Sequence, residues 1–445
     1  MSFPRYSAYK ESKNDWVAHV PEHWELMPCR GFVDERTEKN EDAACQSYLS
    51  LMANVGIIPY EEKGDIGNKK PEDLSKCKIV YQGDFVINSM NYGIGSYGVS
   101  AYEGVCSPVY IVLTPRQAVV EPRFAFRIFE DKRFQAYAQS LGNGILAHRC
   151  AIGWDDLKGI VVGIPSAAEQ KSILNFLDRE TAKIDALIAE QRRLIELLQE
   201  KRQAVISHAV TKGLNANAPM KDSGVEWLGE VPEHWEVKPL KYLANIQTGM
   251  AKGKDLEGVE TADIPYLRVA NVQDGYLDLD EVHLLPVPIE SISRYLLRTG
   301  DVLMNEGGDF DKLGRGCIWS GEIEPCVHQN HVFAVRPHSI SGEWLNAYTT
   351  SKAANSYFIG RSKQSTNLAS ISSTNLMGLS VPVPPSGEAT EILGYMNARV
   401  QEIDDLKLSA TQAVDLLQER RSALISAAVT GQIDVRGLVP EAAEQ

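Results

Sequence analysis

Apolar residues recur at helical spacing through two long stretches of this chain. From about Ala167 to Lys212 there is no Gly or Pro, and Leu177, Ile184, Leu198 and Val205 form a heptad-like series. Leu187/Ile188 and Leu194/Ile195 fill it, and Gln191 interrupts it. Ser166 followed by Glu169 has the form of a capping box, and Gly213 is placed to end the helix. The second stretch follows Pro384-Pro385 and carries Ile392, Met396, Ile403, Leu406, Leu417 and Leu424, thinned by Ala410 and Ala413 and ended by Gly431. About 45 helical residues at ~1.5 Å each span nearly 70 Å. An amphipathic helix of that length must bury its stripe. The spacing predicts that the two stretches pack on each other, antiparallel because a whole domain connects them.

Between them lie two mixed segments, roughly 26–164 and 237–383. Short apolar runs with turns (CKIVYQGDFVIN, VYIVLTP, RTGDVLMN, HVFAVRP) predict strands. PRFAFRIFEDKRFQAYAQSL and GEWLNAYTTSKAANSYF each read as helical. The expected architecture is α+β, two similar globular domains joined by two long helices packed as an antiparallel coiled coil and related by a pseudo-twofold. The expected divisions are 1–166, 167–213 (central helix), 214–385, 386–432 (C-terminal helix) and 433–445 (tail), with 213–220 as a polar linker.

The edges of these segments repeat. KESKNDWVAHVPEHWE at 10–25 returns as KDSGVEWLGEVPEHWE at 221–236, and LLQEKRQAVISHAVT at 197–211 returns as LLQERRSALISAAVT at 416–430. The interiors are mostly unrelated. Gly83-Asp84-Phe85-Val86-Ile87-Asn88 nonetheless answers Gly300-Asp301-Val302-Leu303-Met304-Asn305, and Leu157-x-Gly159 answers Leu376-x-Gly378. Fixed frames around divergent contents imply one scaffold with two different recognition surfaces. The period is far too long for a solenoid.

Chemistry narrows the choice. The seven cysteines are scattered without a CxxC pair, which reads as reduced thiols in a cytoplasmic protein. The N-terminus shows no secretory signal, and no apolar run approaches a membrane span. The net charge of −14 argues against a lone DNA-binding domain, unless positive surface is local and a partner supplies the rest of the grip. Gly93-Ile94-Gly95-Ser96-Tyr97-Gly98 fits G-x-G-x-x-G, but a strand-like run follows where a dinucleotide site needs a helix, so turn glycines are expected. His328-Gln329-Asn330-His331 reads as two strand-edge histidines rather than a metal site. In the repeated VPEHWE, Trp24 and Trp235 read as aromatic plugs rather than parts of twin active sites. No motif for catalysis, cofactor or metal emerges.

The chain resembles the specificity subunits of type I restriction–modification systems. MKDSGVEWLGEVPEHWEV after AVTKGLN is similar to their entry into a second target-recognition domain. LLQEKRQAVISHAVTKGL and LLQERRSALISAAVTGQI are similar to the ends of their conserved helices, as are GDVLMNEGG and CVHQNHVFAVRP to their recognition domains. The resemblance covers the whole chain in order. It implies a non-catalytic subunit in which each variable domain reads half of a split site in double-stranded DNA. It further implies that the helices set the spacer and dock two adenine-methylating modification subunits carrying S-adenosylmethionine, and that a restriction subunit using ATP and Mg joins them. The alternative from the residues alone is a two-headed binding adaptor for a partner other than nucleic acid.

Base reading favours Arg, Lys, Asn and Gln. In the first domain the candidates are Asn88, Asn91, Tyr92, Ser96 and Tyr97 in the loop after the Gly-Asp strand, with Lys69, Lys70 and Arg149 for phosphates or bases. In the second they are Asn305, Asp309, Lys312 and Arg315, then Gln329, Asn330 and His331, and the polar run Arg361, Lys363, Gln364, Ser365, Thr366 and Asn367.

Overall fold

The computed structural model describes residues 3–12, 14–66, 69–142, 151–252, 257–308, 313–314, 316–365 and 368–438. Two compact units emerge, residues 1–191 with 412–445, and residues 192–411.

Unit 1 opens on a hairpin pairing Tyr9–Glu11 with His19–Pro21. There follow β1 (Glu25–Pro28), β2 (Val33–Glu35), β3 (Leu49–Met52), β4 (Gly56–Pro59), β5 (Phe85–Asn88), β6 (Tyr97–Val99), β7 (Tyr110–Pro115), α1 (Pro122–Glu130), α2 (Lys132–Leu141), β8 (Val161–Ile164) and the first half of α3 (Ala167–Lys212). The main sheet has order β2-β7-β5-β6, all antiparallel. Both its faces are covered, which is why its strands read as continuous apolar runs. Phe85, Ile87, Ile111 and Leu113 pack with Phe124, Phe129 and Phe134 on one side. Val86 and Val112 pack with Leu49, Leu51 and Ile57 on the other. β8 pairs with β1 and ties the end of the domain to its start.

Unit 2 follows the same plan. A hairpin of Met220–Asp222 with Glu230–Pro232 leads to β9 (Glu236–Pro239), β10 (Ala244–Thr248), β11 (Val302–Asn305), β12 (Gly307–Gly308), β13 (Gly316–Ile318), β14 (Val332–Pro337), α4 (Gly342–Thr349), α5 (Lys352–Arg361), β15 (Lys363–Ser365), β16 (Leu368–Ser370), β17 (Ser380–Val383) and α6 (Ser386–Val429). The main sheet runs β10-β14-β11-β13, so β11 stands where β5 does and β14 where β7 does. β17 closes on β9. A small sheet, β12-β16-β15, is added.

The long helices pair antiparallel. In unit 1 the beginning of α3 (Leu177, Ile184, Ile188) shares a core with the end of α6 (Val414, Leu424, Ile425, Val429). In unit 2 the end of α3 (Ile206, Ala209, Val210) shares one with the beginning of α6 (Ile392, Met396). Cross-helix ion pairs join Arg421 to Asp185 in unit 1 and Arg202 to Asp404 in unit 2. The expected stripe needs correction at three positions, since Leu187, Leu194 and Leu406 are exposed, while Ala410 is buried in the seam as expected. A small residue lets the helices approach there, and the leucines fall on the outer flank.

The two stretches expected to be single helices are each split by a cap. The Asp131 side chain accepts from the Arg133 and Phe134 N–H groups, and Ser351 Oγ accepts from Ala354 N–H, so each residue starts a second helix. The capping box at Ser166 is only half made. Glu169 N–H lies 3.4 Å from Ser166 Oγ, but its carboxylate accepts from Tyr6 Oη (2.7 Å) and Trp24 Nε1 (3.1 Å) and meets His23 Nε2 at 2.9 Å.

That carboxylate reveals what the repeated frames do. Trp24 is fully buried between the start of α3 and the end of α6, where a Cβ on Gly431 would stand 3.2 Å from its ring. Trp235 is fully buried between the start of α6, through Glu388 Oε1 (3.1 Å), and the end of α3, where a Cβ on Gly213 would also stand 3.2 Å from its ring. Both glycines have φ near +71°, the left-handed conformation that ends a helix. In each unit the Trp of VPEHWE thus pins one helix beginning to one helix end. No helix among the described residues is long and apolar enough to cross a membrane.

Candidate nucleic-acid interface

In both units the Gly-Asp turn is anchored by an ion pair before the strand runs to its Asn. Asp84 receives Arg36 through Nε (2.8 Å) and Nη2 (3.1 Å), with Thr114 Oγ1 adding a bond of 2.7 Å. Asp301 receives Arg336 through Nε (2.7 Å) and Nη2 (2.6 Å). The bidentate geometry is shared, but Arg36 follows β2 whereas Arg336 lies on β14, in the place Thr114 takes on β7.

At the end of β5 most of the expected readers turn inward. Asn88 is buried and its Oδ1 accepts from Met90 N–H at 3.1 Å, shaping the loop. Tyr92 is fully buried and its hydroxyl donates to the Phe129 carbonyl at 2.5 Å, with burial holding that phenol far above its ordinary pKa. Ser96 is buried. Tyr97 packs edge-on against Phe85 and Tyr92. In this conformation these four support the loop. Asn91 is exposed. Gly98 in this G-x-G-x-x-G run serves close packing, since a Cβ there would lie 2.9 Å from Gly56 Cα. Lys69 is exposed and Lys70 donates to the Gln46 carbonyl at 3.2 Å. Both follow the open end of the β3–β4 hairpin, away from the tip that meets the Asn91 loop. Arg149 lies outside the described residues.

Sequence reasoning missed the side chains this loop does offer. Met90, Ile94 and Val55 are 50%, 62% and 69% exposed. Val55 sits on the β3–β4 turn, where Asn54 and Gly56 both have positive φ. The Asn-Val-Gly punctuation between two apolar runs was the available signal.

Unit 2 gathers its candidates more fully. Asn305 is buried, its Nδ2 donating to the Val272 carbonyl at 2.9 Å while Oδ1 has no partner. Gln329 Oε1 accepts from Val269 N–H at 3.3 Å, so the HQNH turn braces the 269–272 turn. Exposed His331 holds Glu306 Oε2 at 2.6 Å through Nδ1, and Asn330 Nδ2 stands 3.3 Å from its Nε2. His328 is buried instead, donating from Nδ1 to the Val332 carbonyl at 2.7 Å, and burial lowers its pKa. Ile371 N–H donates to the Glu306 carbonyl, and β12 pairs with β16, which carries β15 and exposed Lys363 to the same edge. Arg361 is exposed at the end of α5. Gln364 and Ser365 lie on β15, their side chains outside the described set. Asp309, Lys312, Arg315, Thr366 and Asn367 lie outside the described residues. Arg268 was missed. It adjoins the 269–272 turn, and its buried Nε has no partner.

Amide, imidazole, guanidinium and carboxylate groups along one edge form a set able to read base edges, with Asn and Gln suited to adenine, Arg to guanine and Glu to cytosine.

No family model matches the sequence. Among curated relatives, the type I restriction enzyme MjaVIII specificity subunit of Methanocaldococcus jannaschii is 23% identical over 98% of this chain and 99% of its own length. The StySPI specificity subunit of Salmonella potsdam is 24% identical over 93% and 90%. A solved structure on complex assembly and conformational transition of the type I R-M system shares the fold, with a TM-score of 0.67 at 14% identity over 93% of this chain and 99% of that one. End-to-end coverage, doubled frames and shared architecture agree, and over its whole length the chain is similar to the specificity subunits of type I restriction–modification systems.

Proposed function

We propose that this chain selects the DNA sequence on which a type I restriction–modification complex acts, each domain reading one half of a split, asymmetric site. One observation carries the reading. Topologically equivalent strands β5 and β11 end on the same residue type, on the same scaffold, and lead into loops of different chemistry. The paired helices set the spacer. Leu187, Leu194, Leu197, Leu406, Leu408 and Leu416, all exposed, supply apolar surface for two modification subunits to dock. Those subunits bring S-adenosylmethionine and the methylation of adenine, a restriction subunit brings ATP and Mg, and this chain brings no catalysis of its own. The acidic balance fits a grip on phosphates completed by partners.

Exchanging residues 26–164 for the interior of another specificity subunit is expected to change one half of the methylated site and leave the other intact. Methylome sequencing of cells carrying the exchanged chain with its modification subunit reads this out, and changes in both halves would refute the division of labour. A heptad inserted in register into both long helices adds about 10 Å. That is expected to lengthen the spacer by roughly three base pairs at 3.4 Å each, with both half-sites unchanged. A complex with no salt-dependent preference for its mapped site would favour a partner other than nucleic acid.

A further inference from the structure

We propose that the first domain reads its half-site partly through an aliphatic tip, Val55, Ile94 and Met90, which senses thymine by its C5-methyl group. The inference rests on the DNA-reading role proposed above and names the chemistry of one of its two sites.

The loop after β5 and the β3–β4 turn are one body. Asn54 N–H donates to the Gly95 carbonyl at 2.9 Å, which puts Val55 and Ile94 on flanking positions, and Asn88 orders Met90 on the loop's other arm. The polar side chains of this loop are committed elsewhere, to the Phe129 carbonyl by Tyr92 and to Met90 N–H by Asn88. What faces outward is Asn91 and three large apolar side chains, each half exposed or more.

The second domain supports the placement. There the 272–277 turn is tied by Gly275 N–H donating to the Gly316 carbonyl at 2.9 Å, as Asn54 is tied to Gly95, and its tip residue Tyr276 is 61% exposed. Gly316 opens β13 as Tyr97 opens β6, so both turns meet the main sheet at the end where β5 and β11 finish. Two interiors with unrelated sequences thus carry a large, solvent-facing side chain at one structural position. The major-groove edge of an A·T pair carries one apolar feature, the thymine methyl, which aliphatic side chains contact. Because adenine is the base methylated in the proposed function, each half-site holds at least one thymine.

The test uses the chain assembled with its modification subunits and a duplex bearing the mapped site. Deoxyuridine replaces every thymine of one half at a time, removing only methyl groups. For the wild-type complex, uridine in the first domain's half is expected to weaken binding roughly four-fold per methyl contacted, the worth of one buried CH₂. The double variant V55A/I94A is expected to bind the thymine duplex more weakly and to lose the thymine–uridine difference in that half alone. Equal affinity of the wild type for both duplexes overturns the proposal, as does a variant that keeps the full difference. Loss of copurifying modification subunits without any uridine effect makes the tip a protein contact and also overturns it. Failure of the wild-type complex to prefer its mapped site over a scrambled duplex removes the underlying reading itself, and is told apart because no thymine substitution is then involved.

Discussion

Trp235→Ala is expected to destabilise unit 2 by about 3–5 kcal/mol, the range for deleting a large buried aromatic. Trp235 is fully buried, its ring 5.6 Å from that of Trp344, and it donates from Nε1 to Glu388. Truncation opens a cavity and leaves the Glu388 carboxylate with only His234, at 2.7 Å, from this cluster. It also frees the last turn of α3 from the first turn of α6, because the indole is the surface both pack on. Trp235→Phe keeps most of the volume and is expected to cost about 1–2 kcal/mol, chiefly the charge-assisted hydrogen bond. Against a typical domain stability of about 5–15 kcal/mol the alanine variant is severe. Urea denaturation followed by circular dichroism and by tryptophan fluorescence checks it, since the two units can unfold in separate transitions. A loss under about 1 kcal/mol would mean the frame does not bear the helix ends. Trp24→Ala makes the same demand of unit 1, where Glu169 would keep Tyr6 and His23.

These plugs show what could be read from residues alone. The repeated VPEHWE marked Trp24 and Trp235 as anchors because fixed sequence around variable interiors implies a shared mechanical task. The long helices were legible because the first runs more than forty residues without Gly or Pro and the second repeats its closing sequence, which leaves few alternatives. Partners were not legible. Glu169 has the spacing of a capping box, yet three side chains distant in sequence claim its carboxylate. The candidate reading set could not be placed from residue type for the same reason. Residue type marks Asn88 and Tyr92 as readers, but the loop's main-chain hydrogen bonds and an aromatic core turn them inward, and only coordinates register that. The HQNH turn of unit 2 shows the same limit, because the chain reverses there, burying His328 beside Val327 and exposing His331, whereas residue type alone marked both as strand-edge histidines.

The second large effect is expected from Asp301→Ala, again about 3–5 kcal/mol, the cost of removing one partner of a buried ion pair. The Asp301 side chain is 1% exposed and that of Arg336 26%, so the orphaned guanidinium would recover only part of its hydration. The carboxylate also accepts from Arg298 N–H at 2.8 Å, which closes the Gly-Asp turn before β11. Asp301→Asn keeps the shape and the turn bond and is expected to cost less. The double variant D301A/R336L removes both charges and is expected to recover part of the loss, since a matched apolar pair can replace a buried ion pair. Denaturation of the wild type, D301A, R336L and D301A/R336L gives the coupling energy directly. The functional signature is directional. β11 ends on Asn305 and Glu306 follows it, the two holding the 269–272 turn and His331 in place, so the loosened variant should lose discrimination in the second domain's half-site. The half read by unit 1, whose own Asp84–Arg36 pair is untouched, should stay as selective as before. Methylation mapping near the variant's midpoint temperature separates the outcomes. Equal loss in both halves would show that Asp301 supports the molecule as a whole rather than the reading edge of one domain.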